Sequence, residues 1–295
     1  MPAGFFERSF VWSKTVWNVL EHSAAYLALI ATVKVLVVTV LLSLPLTLAP
    51  LIGALVTFAI YANDRLVDRA EDAQTRPARA AFVWQHRHAL YVTGALAYGV
   101  GVALSALGGP LAFGLTLLPG VVWLLYAMEW LRVGATGFER LKELPVVSSI
   151  LVSLAWSIPV VALPIAFAGA PLTPRAGVVF VYFVLTTFVS TEIANIRDIE
   201  SDRASGIETL PTLLGVDWTR TVLYGVATLT LVLLGVGVTG GTIAPLTAAI
   251  LSVGVLTLVA VLSLFGRLED RADLTILAEA SPLSVFVAIA IVTGL

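Results

Sequence analysis

Residues 45–77 read PLTLAPLIGALVTFAIYANDRLVDRAEDAQTRP. The first part, 45–62, is apolar and close to the roughly 20 residues that one helical crossing of a bilayer needs. It runs straight into three aspartates, Asp64, Asp68 and Asp72, at steps of four. On an α-helix each step of four drifts by about 40°, so all three share one stripe if the helix continues. Like charges at that spacing repel, and something must offset the repulsion. A bound cation would do so. So would Arg65, Arg69 and Arg76, if this were only a solvated helix end. Taken alone, the stretch leaves both readings open.

The rest of the chain has the same apolar character. Of 295 residues, 59% are hydrophobic and 12% charged, and the mean hydropathy is +0.98. A water-soluble domain carries about 25% charged residues, so lipid is the solvent this composition fits. The net charge of −2 gives no basic footprint for nucleic acid. Cysteine is absent, which excludes disulfides, thiolate metal sites and prenyl anchors. A window of about 19 residues finds apolar spans at 24–42, 45–62, 89–107, 110–128, 146–168, 176–194, 220–239, 242–265 and 275–294. The first is followed so closely by the second that it is expected to be retained, not cleaved as a signal peptide. The predicted fold is an all-α integral membrane protein, nine transmembrane helices in a single bundle. Residues 1–295 form one membrane domain, and 1–23 an N-terminal segment ahead of it.

Tight turns join the first span to the second, the third to the fourth and the seventh to the eighth. The long polar loops are 63–88, 129–145, 195–219 and 266–274. These loops and the N-terminal segment fall on one side of the membrane. Of the 17 Lys and Arg, all but Arg175 and Lys34 lie in those segments or at their edges. The positive-inside rule therefore puts the N-terminus and the long loops in the cytoplasm. Every carboxylate except Glu192 and Glu279 lies there too.

A second acidic stretch, EIANIRDIESDRASGIETLPTLLG at 192–215, follows the sixth span. Asp198 and Asp202 are again four apart, with Asn195 one turn earlier. Both stretches sit at the cytoplasmic end of an even-numbered span. Converging at one membrane face, they would make an oxygen-rich cage suited to Mg²⁺, which keeps waters and is usually shared with substrate phosphates. The D-x-D-x-D-G spacing of an EF-hand is absent.

On these two windows the chain resembles the UbiA superfamily of intramembrane prenyltransferases. That family carries N-D-x-x-D-x-x-x-D after its second span and D-x-x-x-D after its sixth, within nine helices around a cavity. Asp68, Asp72 and Arg76-Pro77 fit the end of the first motif; Asn63-Asp64 stands one residue farther upstream. Asp198, Asp202, Gly206, Thr209-Leu210-Pro211 and Gly215 fit the second. Where the family often reads N-D-I-R-D, this chain reads Ala194-Asn195-Ile196-Arg197-Asp198, so the upstream aspartate is missing. The resemblance implies Mg²⁺-dependent transfer of a prenyl group from a polyprenyl diphosphate donor to a lipophilic acceptor, at the cytoplasmic face of the lipid membrane. It implies Asp64, Asp68, Asp72, Asp198 and Asp202 as metal ligands, with Asp68, Asp72, Asp198 and Asp202 central to catalysis. The diphosphate would be bound by Asn63, Arg76, Asn195, Arg197 and Arg203. In the loop after the fourth span, Tyr126 and Lys142 are the nearest matches to the family's Tyr and basic residue, with Arg132 competing. A lyase or cyclase acting on a prenyl diphosphate is the alternative the same site permits.

Glu192 and Lys34 lie within spans, where a charge is costly unless paired or facing a cavity. Lys34 is about ten residues from either end of its span, about 15 Å along a helix axis, so its side chain cannot easily reach water. Both residues are candidates to line the cavity. An ion-coupled transporter would place its ionisable groups near the bilayer midplane, whereas here they crowd one boundary. Trp123 and Trp156, inside spans, could wall a cavity, although lipid or helix contact is the default. The GVGVTG stretch at 235–240 follows no strand and reads as helix packing.

Overall fold

A computed structural model describes residues 16–69, 72–73, 76–127, 147–265 and 271–294. Among them the regular elements are all helices. A short helix, Val16–His22, precedes α1 and meets it at 76°. The main series is α1 (Ala25–Leu41), α2 (Ala49–Val67), α3 (Pro77–Gln85), α4 (Arg87–Ser105), α5 (Gly109–Ala127), α6 (Val147–Ala168) and α7 (Pro174–Ala204). It continues with α8 (Leu210–Leu214), α9 (Val216–Thr239), α10 (Pro245–Leu264), α11 (Arg271–Glu279) and α12 (Ser281–Thr293).

Local chemistry sets many of the boundaries. Proline stands in the first turn of α2, α3, α7, α8, α10 and α12, where its missing N–H removes no helical bond. Thr173 caps α7 by accepting from the Ala176 amide at 3.2 Å. Gly206, at φ +68°, turns the chain out of α7. Pro119 in α5 and Pro159 and Pro164 in α6 interrupt the hydrogen-bond ladder inside apolar helices.

The helices form a closed ring. α2 packs on α1, α4 and α5, and α5 packs on α6. The ring continues through α7, α9, α10 and α12, and α12 returns to α1. Val35, Val38, Ile52, Leu163, Val179, Leu234, Leu251 and Val255 fill the interface between these helices. Large apolar side chains also cover the outside, Leu46, Leu172 and Ile291 among the most exposed. In the run 87–125 only 22% of the most apolar window is buried within the protein. Lipid is the medium in which such a surface is stable.

Each predicted span overlaps helical residues, the last of them on two helices, and these helices are not equally long or apolar. Five helical runs meet the length and hydropathy needed to cross a membrane, or up to seven if each sharply bent pair is one span. The difference has structural causes. The run 87–125 contains α4 and most of α5, separated by the 3₁₀ turn Ala106–Gly108. The last span is broken at Ala280, where α11 and α12 meet at 43°. The Asn63-Asp64-Arg65 end of α2 dilutes an otherwise apolar helix.

Candidate active site

The aspartate stripe of α2 survives the end of that helix. The Asp68 amide donates to the Asp64 carbonyl at 2.8 Å, Asp72 to Asp68 at 2.9 Å and Arg76 to Asp72 at 2.7 Å. These i→i−4 bonds link Asp64, Asp68, Asp72 and Arg76 in series, and all four side chains line one cavity. The second stripe is carried by α7, whose 31 residues extend about 46 Å at 1.5 Å per residue. That exceeds a hydrocarbon core of about 30 Å, so α7 is long enough to cross it with turns to spare, and Asp198 and Asp202 lie in its last two turns.

Both stripes line one cavity of about 370 Å³. Asp64, Asp68 and Asp72 come from one side and Asn195, Arg197, Asp198 and Asp202 from the other. Arg76 of the first stretch approaches Asp198 of the second, Nη2 to Oδ1, at 3.7 Å. Arg197 Nε donates to Asp198 Oδ1 at 2.7 Å. Arg79 pairs with Asp72, and Trp123 Nε1 donates to Asp64 Oδ1 at 3.0 Å. Thr209, which opens α8, donates to Asp202 Oδ2 at 3.3 Å. Away from the carboxylates the wall becomes aromatic and hydroxylic. Tyr61 stacks on Trp156 with ring centroids 5.4 Å apart and planes 12° from parallel. Lys34 and Glu279 also line the cavity, joined by Thr186, Thr187 and Ser190.

The structure separates the remaining candidates. Asn63 does not line the cavity. Its amide donates to the Ala59 carbonyl at 2.8 Å, facing Gly94 of α4, where an added Cβ would sit 3.1 Å from Asn63 Nδ2. Arg203 is exposed and off the cavity wall. Glu192 is fully buried but lies behind the wall, accepting from Asn195 at 3.1 Å. The side chain of Tyr126 and the whole of Lys142 and Arg132 lie outside the described residues. Arg79 and Tyr61 were not among the sequence candidates, and Glu279 stood out only as a carboxylate within a span, without a role. Arg79 follows Pro77, and the helix break there hides its return toward Asp72. Tyr61 stands one turn before Asp64 on the same face, a signal that was legible.

The donor set fits a divalent cation shared with an anion. Among the described residues no three Asp, Glu or His side chains converge closely enough to hold a metal unaided. Yet the buried Asp72 Oδ2 has no hydrogen-bond partner, and neither do the buried Arg76 Nη2 and Arg79 Nε. Buried groups of this kind are normally satisfied. Here an unmatched carboxylate oxygen suits a hard cation, and unmatched guanidinium nitrogens suit an oxyanion.

A model of the UbiA prenyltransferase family matches residues 22–279. The chain belongs to the UbiA prenyltransferase family. It is accordingly an integral, multi-pass membrane protein. Comparison with curated proteins finds no match. Several UbiA structures share the fold. The apo structure of a UbiA homologue from Aeropyrum pernix K1 superposes with a TM-score of 0.67 at 19% identity, covering 94% of this chain and 99% of that one. A UbiA homologue from Archaeoglobus fulgidus, bound to GPP and Mg²⁺, gives 0.62 at 14% identity, covering 92% and 98%. A structure concerned with digeranylgeranylglyceryl phosphate synthase in membranes gives 0.59 at 12% identity, with the same coverage.

Proposed function

We propose that this protein transfers a prenyl group from a polyprenyl diphosphate to a lipophilic acceptor, with Mg²⁺, at the cytoplasmic face of the membrane. The observation that carries this reading is the Arg76–Asp198 approach, in which the two acidic stretches face each other over a common cavity. A UbiA homologue bound to GPP and Mg²⁺ supports the same pairing of ligands. The chain acts as one membrane domain crossing the bilayer nine times.

Asp64, Asp68, Asp72, Asp198 and Asp202 would hold Mg²⁺, which supplies charge neutralisation for the departing diphosphate. Arg76, Arg79 and Arg197 orient the anion and donate to its oxygens. Trp123 fixes the Asp64 carboxylate, and Thr209 fixes Asp202. Tyr61 stands about 4.5 Å nearer the membrane interior than Asp64, at 1.5 Å per residue. With Trp156 it walls the place where the first prenyl carbon would sit. Ring faces there exclude water and favour a developing allylic cation. Lys34, Glu279 and the hydroxyls near them give the acceptor a polar lining.

The test is incubation of purified protein with Mg²⁺, labelled prenyl diphosphates of several lengths and a lipid extract of the host. A labelled lipophilic product that forms only with Mg²⁺ is expected. Labelled product made without any acceptor would instead assign a lyase or cyclase, and no consumption of any diphosphate would sink both.

A further inference from the structure

The reaction proposed above gives Glu192 no task, although it is fully buried on α7. Its link to the cavity runs through Asn195, one turn further on. Asn195 Nδ2 donates to Glu192 Oε2 at 3.1 Å and to Ser149 Oγ at 3.2 Å. A side-chain amide carries two hydrogens on nitrogen, while its oxygen only accepts. Both hydrogens are thus engaged on partners behind the wall, and Ser149 is itself buried. With Glu192 ionised, the reversed amide would set Asn195 Oδ1 against Glu192 Oε2, acceptor against acceptor. Ser149 could tolerate either orientation, because a hydroxyl both donates and accepts. A carboxylate, which only accepts, cannot.

We propose that Glu192 is a positioning residue: its buried carboxylate turns Asn195 so that the amide oxygen faces the cavity as a ligand for a divalent cation. This rests on the Mg²⁺-dependent reading above and reassigns Asn195 from diphosphate donor to cation ligand. Asn195, Asp198 and Asp202 lie at i, i+3 and i+7 on α7 and all line the cavity. A neutral oxygen there adds a hard donor beside the carboxylates. An amino group in the same place would repel the ion. Glu192 also ties the cation face to α8, since the Leu210 amide at the start of that helix lies beside its carboxylate.

The test uses Mn²⁺ as the probe cation. Its binding to the detergent-solubilised full chain is measured by electron paramagnetic resonance without substrate, alongside the Mg²⁺ dependence of prenyl transfer. Glu192→Gln keeps the shape but can rotate to donate to Asn195, which frees that amide to present its amino group. Loss of such an orienting partner weakens metal binding by about 10- to 100-fold, and that is the expected fall in Mn²⁺ affinity. Asn195→Ala should weaken it similarly. In Glu192→Gln/Asn195→Asp the carboxylate at 195 presents an oxygen in either orientation, so Mn²⁺ affinity should recover toward that of the unmodified chain. Unchanged Mn²⁺ affinity in Glu192→Gln or in Asn195→Ala overturns the proposal, as does a double variant that binds no better than Glu192→Gln. An unmodified chain that binds Mn²⁺ yet transfers no prenyl group sinks the functional reading instead.

Discussion

Arg76 and Asp198 come from different halves of the chain and meet at 3.7 Å. Around them the carboxylates are held by three kinds of group: Asp64 by an indole, Asp72 and Asp198 by guanidiniums, Asp202 by a hydroxyl. Replacing Asp68 or Asp202 by Asn keeps the size but removes a charge. Each variant should lose about 100-fold or more in turnover, the scale of removing one electrostatic stabiliser from an active site, while inserting into the membrane normally. Near-full activity in either, with product assayed at saturating Mg²⁺, would remove the metal role. Trp123→Phe keeps an aromatic side chain, though a smaller one, and deletes the bond to Asp64. A hydrogen bond to a charged group contributes about 1.5–3 kcal/mol, so kcat/KM should fall about tenfold or more. Lys34→Met should leave insertion intact and raise KM for the acceptor, because Lys34 lines the cavity away from the aspartates; kinetics with the identified acceptor would measure this. How far the residues could be read from the sequence depended on local periodicity. The stripes at 64, 68 and 72 and at 198 and 202 were legible because they repeat with the helix. Arg79 was not, because Pro77 intervenes.

At the scale of elements, two devices bring the stripes to one level. α7 is longer than a bilayer core, and past the end of α2 the Asp68, Asp72 and Arg76 amides each bond back to the carbonyl four residues earlier. Close helix contacts then fix the ring. At Gly254 of α10 an added Cβ would sit 2.6 Å from Val285 Cγ2 and would also meet the Tyr182 hydroxyl. Overpacking of this kind costs about 1–3 kcal/mol. Gly254→Ala should therefore lower the thermal unfolding midpoint in detergent, whereas Gly235→Ala, at a position with open space around it, should not. Equal midpoints for the two variants would show that α10 is free to shift. The Thr209-Leu210-Pro211 segment was visible in the sequence as a motif. That its threonine opens a helix and reaches back to Asp202 is a matter of geometry that spacing alone does not state.

The whole molecule is built as a polar-mouthed cavity inside an apolar ring, and its orientation can be checked directly because the chain contains no cysteine. A Ser205→Cys variant, in the turn after α7, should react with a membrane-impermeant maleimide only when the cytoplasmic face is presented. Leu172→Cys, between α6 and α7, should react only from the opposite face. The reverse pattern would invert the proposed topology. The sequence by itself determined the solvent, the positions of the helices along the chain and the residues that share a stripe, because hydropathy and the 3.6-residue period are local properties. Only the tertiary structure decided which stripe faces which. A helix's rotation about its own axis is set by its neighbours, so Asn63 turns to Gly94 and Glu192 sits behind Asn195, while Arg79, Tyr61 and Glu279 turn inward.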